Sequence, residues 1–232
     1  MHLLAPDVRR IDDGGEAVDL GLAPAPLVLV AGADSEVAAF AAARRAAEAA
    51  GVALPDMRLV SVADLAHPMT LDLAIERTFR HARLVAVRLI GGEGYWPYGI
   101  DRLRALAAAG GPALVVAPGD RRWDPDLAAR GTVPPDAAER FFGYCREGGP
   151  ENRLNALRLL SRLVAGPERA PAAIAALPPP RPVPVAGVHL PGAGPATLEA
   201  VAARWRPGRP RAALVFYRSQ LLDGLTDGSD AL

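Results

Sequence analysis

Short apolar runs alternate with amphipathic segments along the first half of the chain. The apolar runs are hydrophobic on both faces, which is typical of buried parallel strands. They lie at residues 27–31, 57–62, 84–90 and 112–120. The segments between them have helical spacing, as in Leu71, Ile75 and Phe79, which recur at every fourth residue. Strands that alternate with helices over short connections predict an α/β fold, an open parallel sheet flanked by helices of the flavodoxin or Rossmann type.

The pattern changes after Asp120, where two consecutive helices are predicted at 134–149 and 150–166. Both segments begin at a proline and end at a glycine, as helices commonly do. The apolar stripe of the second helix is predicted to consist of Leu154, Leu157, Leu160 and Val164.

Residues 166–183 hold six prolines and are predicted to be a semi-rigid linker outside any core. A strand at 185–192 and a helix at 196–205 are predicted to follow, and then a strand, or a strand and a loop, at 211–222. Because a βαβ unit of about 50 residues cannot bury a core of its own, we expect this part to be the start of a second α/β domain in a truncated chain. The predicted domains are an N-terminal α/β head domain (1–165), the linker (166–183) and the truncated second domain (184–232).

Composition excludes several classes of protein. The 26 basic residues balance the 26 acidic ones, which argues against a nucleic-acid partner. Cys145 is the single cysteine, and we expect it to be buried in a helix rather than paired in a disulfide. No signal peptide begins the sequence and no apolar run is long enough to span a bilayer, so we expect a cytoplasmic protein without a membrane partner.

Familiar chemical motifs are missing from the sequence. A phosphate-binding P-loop needs a lysine, and all the basic residues are arginines. The GGEG segment at 91–94 does not extend to a dinucleotide fingerprint, because Pro97 stands where the third glycine is required. The four histidines are scattered, and no serine lies in a GxSxG elbow. We therefore predict no catalytic residue, cofactor site or metal site in this chain.

Position in the fold leaves one candidate site, since open parallel sheets bind ligands beyond the carboxyl ends of their strands. Three aromatic residues stand within residues 95–98, in a segment that follows the third predicted strand. Rings beside arginine and glutamate suit a flat, partly apolar ligand that carries carboxylates. The alternative is that the rings only pack against the sheet edge. The candidate substrate-binding residues are Arg88, Glu93, Tyr95, Trp96, Tyr98 and His67, with Asp120 and Arg121 beside them.

Four stretches of the chain together resemble the large subunit of aerobic cobaltochelatases of the CobN type, a family related to the large subunit of magnesium chelatase. The stretches are MHLL at the start, HPMTLDLAIERTFRHARLVAVRLIGGEGYWPYGIDRLR at 67–104, FFGYCREGGPENRLNALRLL at 141–160 and RPRAALVFYRSQLL at 209–222. They occur in order and cover essentially the whole chain, so the resemblance is more specific than any single motif.

The resemblance implies an N-terminal portion of an enzyme that inserts Co²⁺ into the corrin ring of hydrogenobyrinic acid a,c-diamide during cobalamin synthesis. Its partners would be the remainder of the large subunit, an AAA+ ATPase subunit and a subunit with a metal-binding domain, and the complex would use ATP and Mg²⁺. The resemblance carries no catalytic residue onto this chain, and we expect the fragment alone to be inactive. Two alternatives stay open: a free-standing flavodoxin-like module that binds a tetrapyrrole or an anionic small molecule, and a purely structural interaction domain.

Overall fold

The computed structural model describes residues 16–191, 193–208, 210–211 and 213–226, so the opening MHLL stretch lies outside the described residues. Four strands form one parallel sheet in the order β2-β1-β3-β4. The strands are β1 (Leu27–Ala31), β2 (Met57–Ser61), β3 (Leu84–Leu89) and β4 (Ala113–Pro118). The predicted open parallel sheet flanked by helices is therefore confirmed.

Helices connect and follow these strands. They are α1 (Asp34–Ala49), α2 (Pro68–Arg77), α3 (Pro97–Ala108), α4 (Pro125–Ala128), α5 (Pro135–Glu147), α6 (Gly149–Leu163), α7 (Ala170–Ala175), α8 (Leu198–Ala202) and α9 (Arg218–Asp223). Across the described ranges, none of them has the length and apolar character needed to cross a membrane.

The sheet separates two hydrophobic cores, because successive side chains of a strand point to opposite faces. Leu27 and Leu29 of β1 pack in the core that contains residues of α1, α5 and α6. Val28 and Val30 pack in the other core, which contains residues of α2 and α3. Strands that are apolar on both faces therefore require helices on both sides, which explains the layered architecture.

Helix α6 buries polar as well as apolar side chains. Leu157 and Leu160 are fully buried, as predicted, but Leu154 is only partly buried. Asn152 and Arg153 are almost completely buried beside them. The predicted apolar stripe is therefore only partly correct, because hydrogen bonds and ion pairs let polar residues occupy the inner face of this helix.

The first part of the predicted linker belongs to the core. Helix α7 places Ala170 and Ala173 in the same hydrophobic core as α5 and α6, and Leu177 packs there as well. Pro167 and Pro171 stand in the first turns of short helices, where a missing N–H group costs nothing. The expectation that this segment lies outside the core is wrong for residues 166–177, while the division into domains stays a prediction.

The C-terminal part differs from the predicted strand–helix–strand unit. Strands β5 (Val188–Leu190) and β6 (Gly194–Ala196) form an antiparallel pair, and the short helix α8 follows. The strand predicted at 211–222 is wrong, because residues 213–217 form neither helix nor strand and α9 follows directly. Apolar residues can form a strand only when a neighbouring strand satisfies their backbone groups.

Candidate functional site

The loops beyond the carboxyl ends of β1 and β3 enclose the topological switch point of the sheet. From β1 the chain runs to β2 on one side, whereas from β3 it runs to β4 on the other. The following helices, α1 and α3, therefore pack on opposite faces. A crevice between such diverging loops is the usual ligand site of this class of fold.

The loops after β1 and β4 pack closely against Ile90, which follows β3. A Cβ atom at Gly119 would lie 2.6 Å from Ile90 Cγ1, and one at Gly32 would lie 3.1 Å from the same atom. The Gly91 N–H donates to Asp120 Oδ2 at 3.2 Å, which joins the loops after β3 and β4. The loops after β1, β3 and β4 therefore contact one another beyond the strand ends.

Arg88, at the end of β3, points into the core beneath these loops. Its guanidinium donates to the Pro118 carbonyl at 3.3 Å and to the Gly119 carbonyl at 3.1 Å. It also forms an ion pair with the carboxylate of Glu36, in the first turn of α1. The Arg88 and Glu36 side chains are only 5% and 7% exposed, so both charges are removed from water.

A second arginine completes what we call the switch-point cluster, defined as Glu36, Arg88, Arg153 and Asp223. Arg153 of α6 donates through Nη1 to Glu36 Oε1 at 2.7 Å, the same oxygen that accepts from Arg88. It donates through Nη2 to Asp223 Oδ1 of α9 at 2.9 Å. Its guanidinium also lies 4.8 Å from the centre of the Phe40 ring, a favourable cation–π distance.

The electrostatics of the switch-point cluster depend on α9. Two arginines face two carboxylates, so the four side chains are neutral together only while Asp223 is in place. Burial lowers the pKa of Arg88, and Arg153 lowers it further, whereas Cys145 and Asp223 act in the opposite direction. An arginine nevertheless stays protonated at neutral pH. The buried charge of Arg88 is therefore stabilised by the carboxylates of the cluster.

Trp96 is buried, unlike the exposed rim residue that the sequence suggested. Its ring is in the core on the α2 and α3 face of the sheet and is 3% exposed. Gly99 of α3 makes room for the indole, since a Cβ atom there would lie 2.1 Å from Trp96 Cε2. The indole is therefore part of the packing of α3.

Tyr98 lies on the surface between α2 and α3. Its hydroxyl donates to Asp72 Oδ2 at 2.8 Å, and Arg102 Nε donates to Asp72 Oδ1 at 2.7 Å. Partial burial and the hydrogen bond to Asp72 raise the pKa of Tyr98. With 39% of its surface exposed, Tyr98 can contact a ligand or a neighbouring part of a larger protein.

The remaining predicted residues have separate local partners. Glu93 forms an ion pair with Arg130 at 2.9 Å. His67 caps α2, and its Nδ1 accepts from the Met69 N–H at 3.1 Å. Tyr95 is partly buried against the core near Trp96. The contacts of the six predicted residues therefore do not join them into one site.

A shallow groove of about 400 Å³ lies along α5, beside Trp123 of the loop after β4. The rings of Trp123 and Phe142 line the groove, with their centres 5.3 Å apart. Charged residues of α5, among them Arg140 and Arg146, line the groove beside these rings.

In the described part of the chain, no group of three or more His, Cys, Asp or Glu side chains is placed to hold a metal ion.

Sequence reasoning identified Arg88 but missed the other three members of the switch-point cluster. Glu36 and Arg153 are 117 residues apart, and Arg153 and Asp223 are 70 residues apart. The available signal is an arginine within the apolar run LVAVRLI, because a charge in a buried strand needs a partner. That signal shows that partners exist, but it does not identify them.

Comparison with known proteins finds two similar subunits. The chain is 39% identical over 230 residues to the aerobic cobaltochelatase subunit CobN of Pseudomonas aeruginosa, covering 95% of this chain and 17% of that protein. This chain is similar to cobaltochelatase CobN. The CobN subunit of a Sinorhizobium species is 35% identical over 240 residues, covering 100% of this chain and 18% of that protein. The chain therefore spans less than a fifth of the length of either relative.

A solved structure has a similar fold. The catalytic subunit of cobaltochelatase from Mycobacterium tuberculosis matches with a TM-score of 0.54 and 22% sequence identity, over 88% of this chain and 14% of that one. At this identity the likeness concerns the fold alone. No family model matches the sequence.

Proposed function

We propose that this chain is a portion of the large subunit of an aerobic cobaltochelatase, and that the complete subunit inserts Co²⁺ into hydrogenobyrinic acid a,c-diamide during cobalamin synthesis. The observation that carries the proposal is the similarity to two CobN subunits at 39% and 35% identity along nearly the whole chain. Because the chain spans 17–18% of those proteins, the activity is assigned to a longer polypeptide and not to these residues alone.

The proposed complex contains two further subunits, an AAA+ ATPase and a subunit with a metal-binding domain. In this scheme ATP and Mg²⁺ bind the ATPase, and Co²⁺ is a substrate. The chain itself contributes no catalytic residue and is inactive alone. The sequence contains no lysine and therefore no P-loop, which supports the assignment of ATP binding to another subunit.

For the corrin substrate, Tyr98 is the contact that the geometry favours among the predicted residues. Arg88 and Trp96 are buried, whereas the Tyr98 ring is 39% exposed and stands beside the guanidinium of Arg102. A ring next to a cation suits a flat macrocycle with carboxylate and carboxamide side chains. Glu93, Tyr95 and His67 are weaker candidates, because they are engaged in local packing and pairing.

Genetic complementation tests the proposed function. The complete gene that contains this segment is expressed in a bacterium that lacks its own cobaltochelatase large subunit, together with the two partner subunits. We expect cobalamin-dependent growth to return, and a copy that lacks residues 16–226 to fail. Soluble, assembled protein that restores no cobalamin synthesis would contradict the proposal.

The substrate contact is tested separately in the active complex. Tyr98→Ala should raise the KM for the corrin substrate and leave ATP hydrolysis by the partner subunit unchanged. Arg45→Ala, an exposed change on α1 and on the other face of the sheet, is the matched control. Equal KM values for the two variants would remove Tyr98 as a contact and leave the chelatase assignment untouched.

A further inference from the structure

We propose that Arg88 and Arg153 form a carboxylate-binding site at the switch point, and that α9 is a displaceable cover whose Asp223 occupies the site in the closed state. The ligand class is a small-molecule carboxylate. This inference concerns binding to the chain itself and does not depend on the proposed chelatase function.

The hydrogen bonds of Arg153 show that its guanidinium is only partly used. Nη1 donates to Glu36 and Nη2 donates to Asp223, whereas Nε is buried with no hydrogen-bond partner among the described residues. Nε and Nη2 lie on one edge of a guanidinium and match the two oxygens of a carboxylate. Asp223 fills half of this fork, so a free carboxylate can make one hydrogen bond more than the tethered side chain does.

The charge balance of the cluster favours an anion at this place. Glu36 carries one negative charge and pairs with both arginines, so removal of Asp223 leaves the cluster with one excess positive charge. The Arg88 and Arg153 side chains are each 5% exposed, and a buried cation without a counterion is costly. The open form of the chain therefore holds a positively charged pocket at the position where this class of fold binds ligands.

Helix α9 is short, and polar contacts of Arg218 and Asp223 hold its two ends. None of its residues is fully buried. Arg218 donates to the carbonyls of Val183 and Pro184 at 2.8 and 2.9 Å and lies 3.6 Å from Glu147. Leu221 and Leu222 are partly buried, and Leu222 lies against Gly148. A six-residue helix held in this way depends strongly on the ion pair of Asp223.

Hydrogen exchange with chemical rescue tests the site in the 232-residue chain. Asp223→Ala removes one carboxylate group, which is the size of formate. We expect the amides of residues 218–224 to exchange about tenfold to a hundredfold faster, the loss expected for a hydrogen bond between charged groups. Formate should restore protection in a saturable manner, and chloride at the same ionic strength should not.

Two control variants separate a built site from a general salt effect. Glu147→Ala loosens α9 at Arg218 but leaves Asp223 in place, so its exchange should rise and formate should restore no protection. Asp223→Asn should lose protection and also gain no response, because the amide still fills the space. Protection restored by formate in either control contradicts the proposal. So does unchanged exchange in Asp223→Ala, or a failure of formate to restore protection there. No metal, corrin or partner subunit is used, so the result is independent of the chelatase assignment.

Discussion

Replacing Glu36 by glutamine tests whether the buried charges at the switch point stabilise the fold as one cluster. Glutamine keeps the shape of the side chain and removes its charge. One Glu36 oxygen accepts from both Arg88 and Arg153, whose side chains are each 5% exposed. The substitution therefore leaves two buried guanidinium groups and one remaining carboxylate of the cluster, Asp223, which pairs with Arg153.

The size of the effect follows from this burial. Removing one partner of a buried ion pair costs about 3–5 kcal/mol, because the remaining charge stays desolvated. A typical domain has about 5–15 kcal/mol of stability in total. At about 2–4 °C per kcal/mol for a chain of this size, the melting temperature should fall by roughly 6–20 °C.

The assay is thermal and urea unfolding of the 232-residue chain, both followed by circular dichroism. Asp34→Asn is the matched control, since Asp34 is the other acidic residue in the first turn of α1 and is exposed. That control loses only the interaction with the helix dipole, about 0.3–1 kcal/mol. If Glu36→Gln costs no more than Asp34→Asn, the buried cluster does not stabilise the fold and our reading of it is wrong.

A double-mutant cycle tests the coupling between Glu36 and Arg88. We expect Arg88→Met to cost less in the Glu36→Gln background than in the parent chain, because it then removes an uncompensated cation. Equal costs in the two backgrounds would show that the two side chains act independently.

Three further predictions concern the surroundings of the site. Gly99→Ala should lower the free energy of unfolding by about 1–3 kcal/mol and shift the tryptophan emission to the red, since a Cβ atom there would lie 2.1 Å from Trp96 Cε2. An unchanged emission spectrum together with an unchanged urea unfolding midpoint would refute this. Asp72→Asn should lower the pKa of Tyr98, measured by ultraviolet titration, because burial and the hydrogen bond to Asp72 raise it. With the folded pKa raised, the Tyr98 contribution to stability is present below the ordinary phenol pKa of about 10 and is lost as the pH rises through the folded value; an unaltered titration would contradict this. The Cys145 thiol, 4% exposed, should react with an aromatic disulfide reagent only after unfolding, and rapid labelling of the folded chain would show that it is accessible.

The sheet was predictable from the sequence because each strand is apolar on both faces. The first predicted strand, 27–31, coincides with β1. The prediction failed at 211–222, where the apolar or aromatic residues 213–217 directly precede α9. A run of this kind has strand propensity, but it becomes a strand only beside a partner, and sequence alone does not tell whether one is present.

The candidate site was predictable only in part, because its residues come from distant positions. Arg88 is an evident outlier in an apolar strand, but its partners lie on α1, α6 and α9. Trp96 was misplaced because an aromatic residue beside glycines and a proline reads as part of a loop. Gly99, three positions further along, leaves the space that lets the ring pack inside.

The central claim is that this chain is part of a cobaltochelatase large subunit, and a reconstituted insertion reaction tests it most directly. The complete large subunit that contains this segment is purified and mixed with its two partner subunits, ATP, Mg²⁺, Co²⁺ and hydrogenobyrinic acid a,c-diamide. We predict that the corrin absorbance shifts to that of the cobalt form, and that the shift requires both ATP and the large subunit. An unchanged spectrum from a folded and assembled complex would contradict the account.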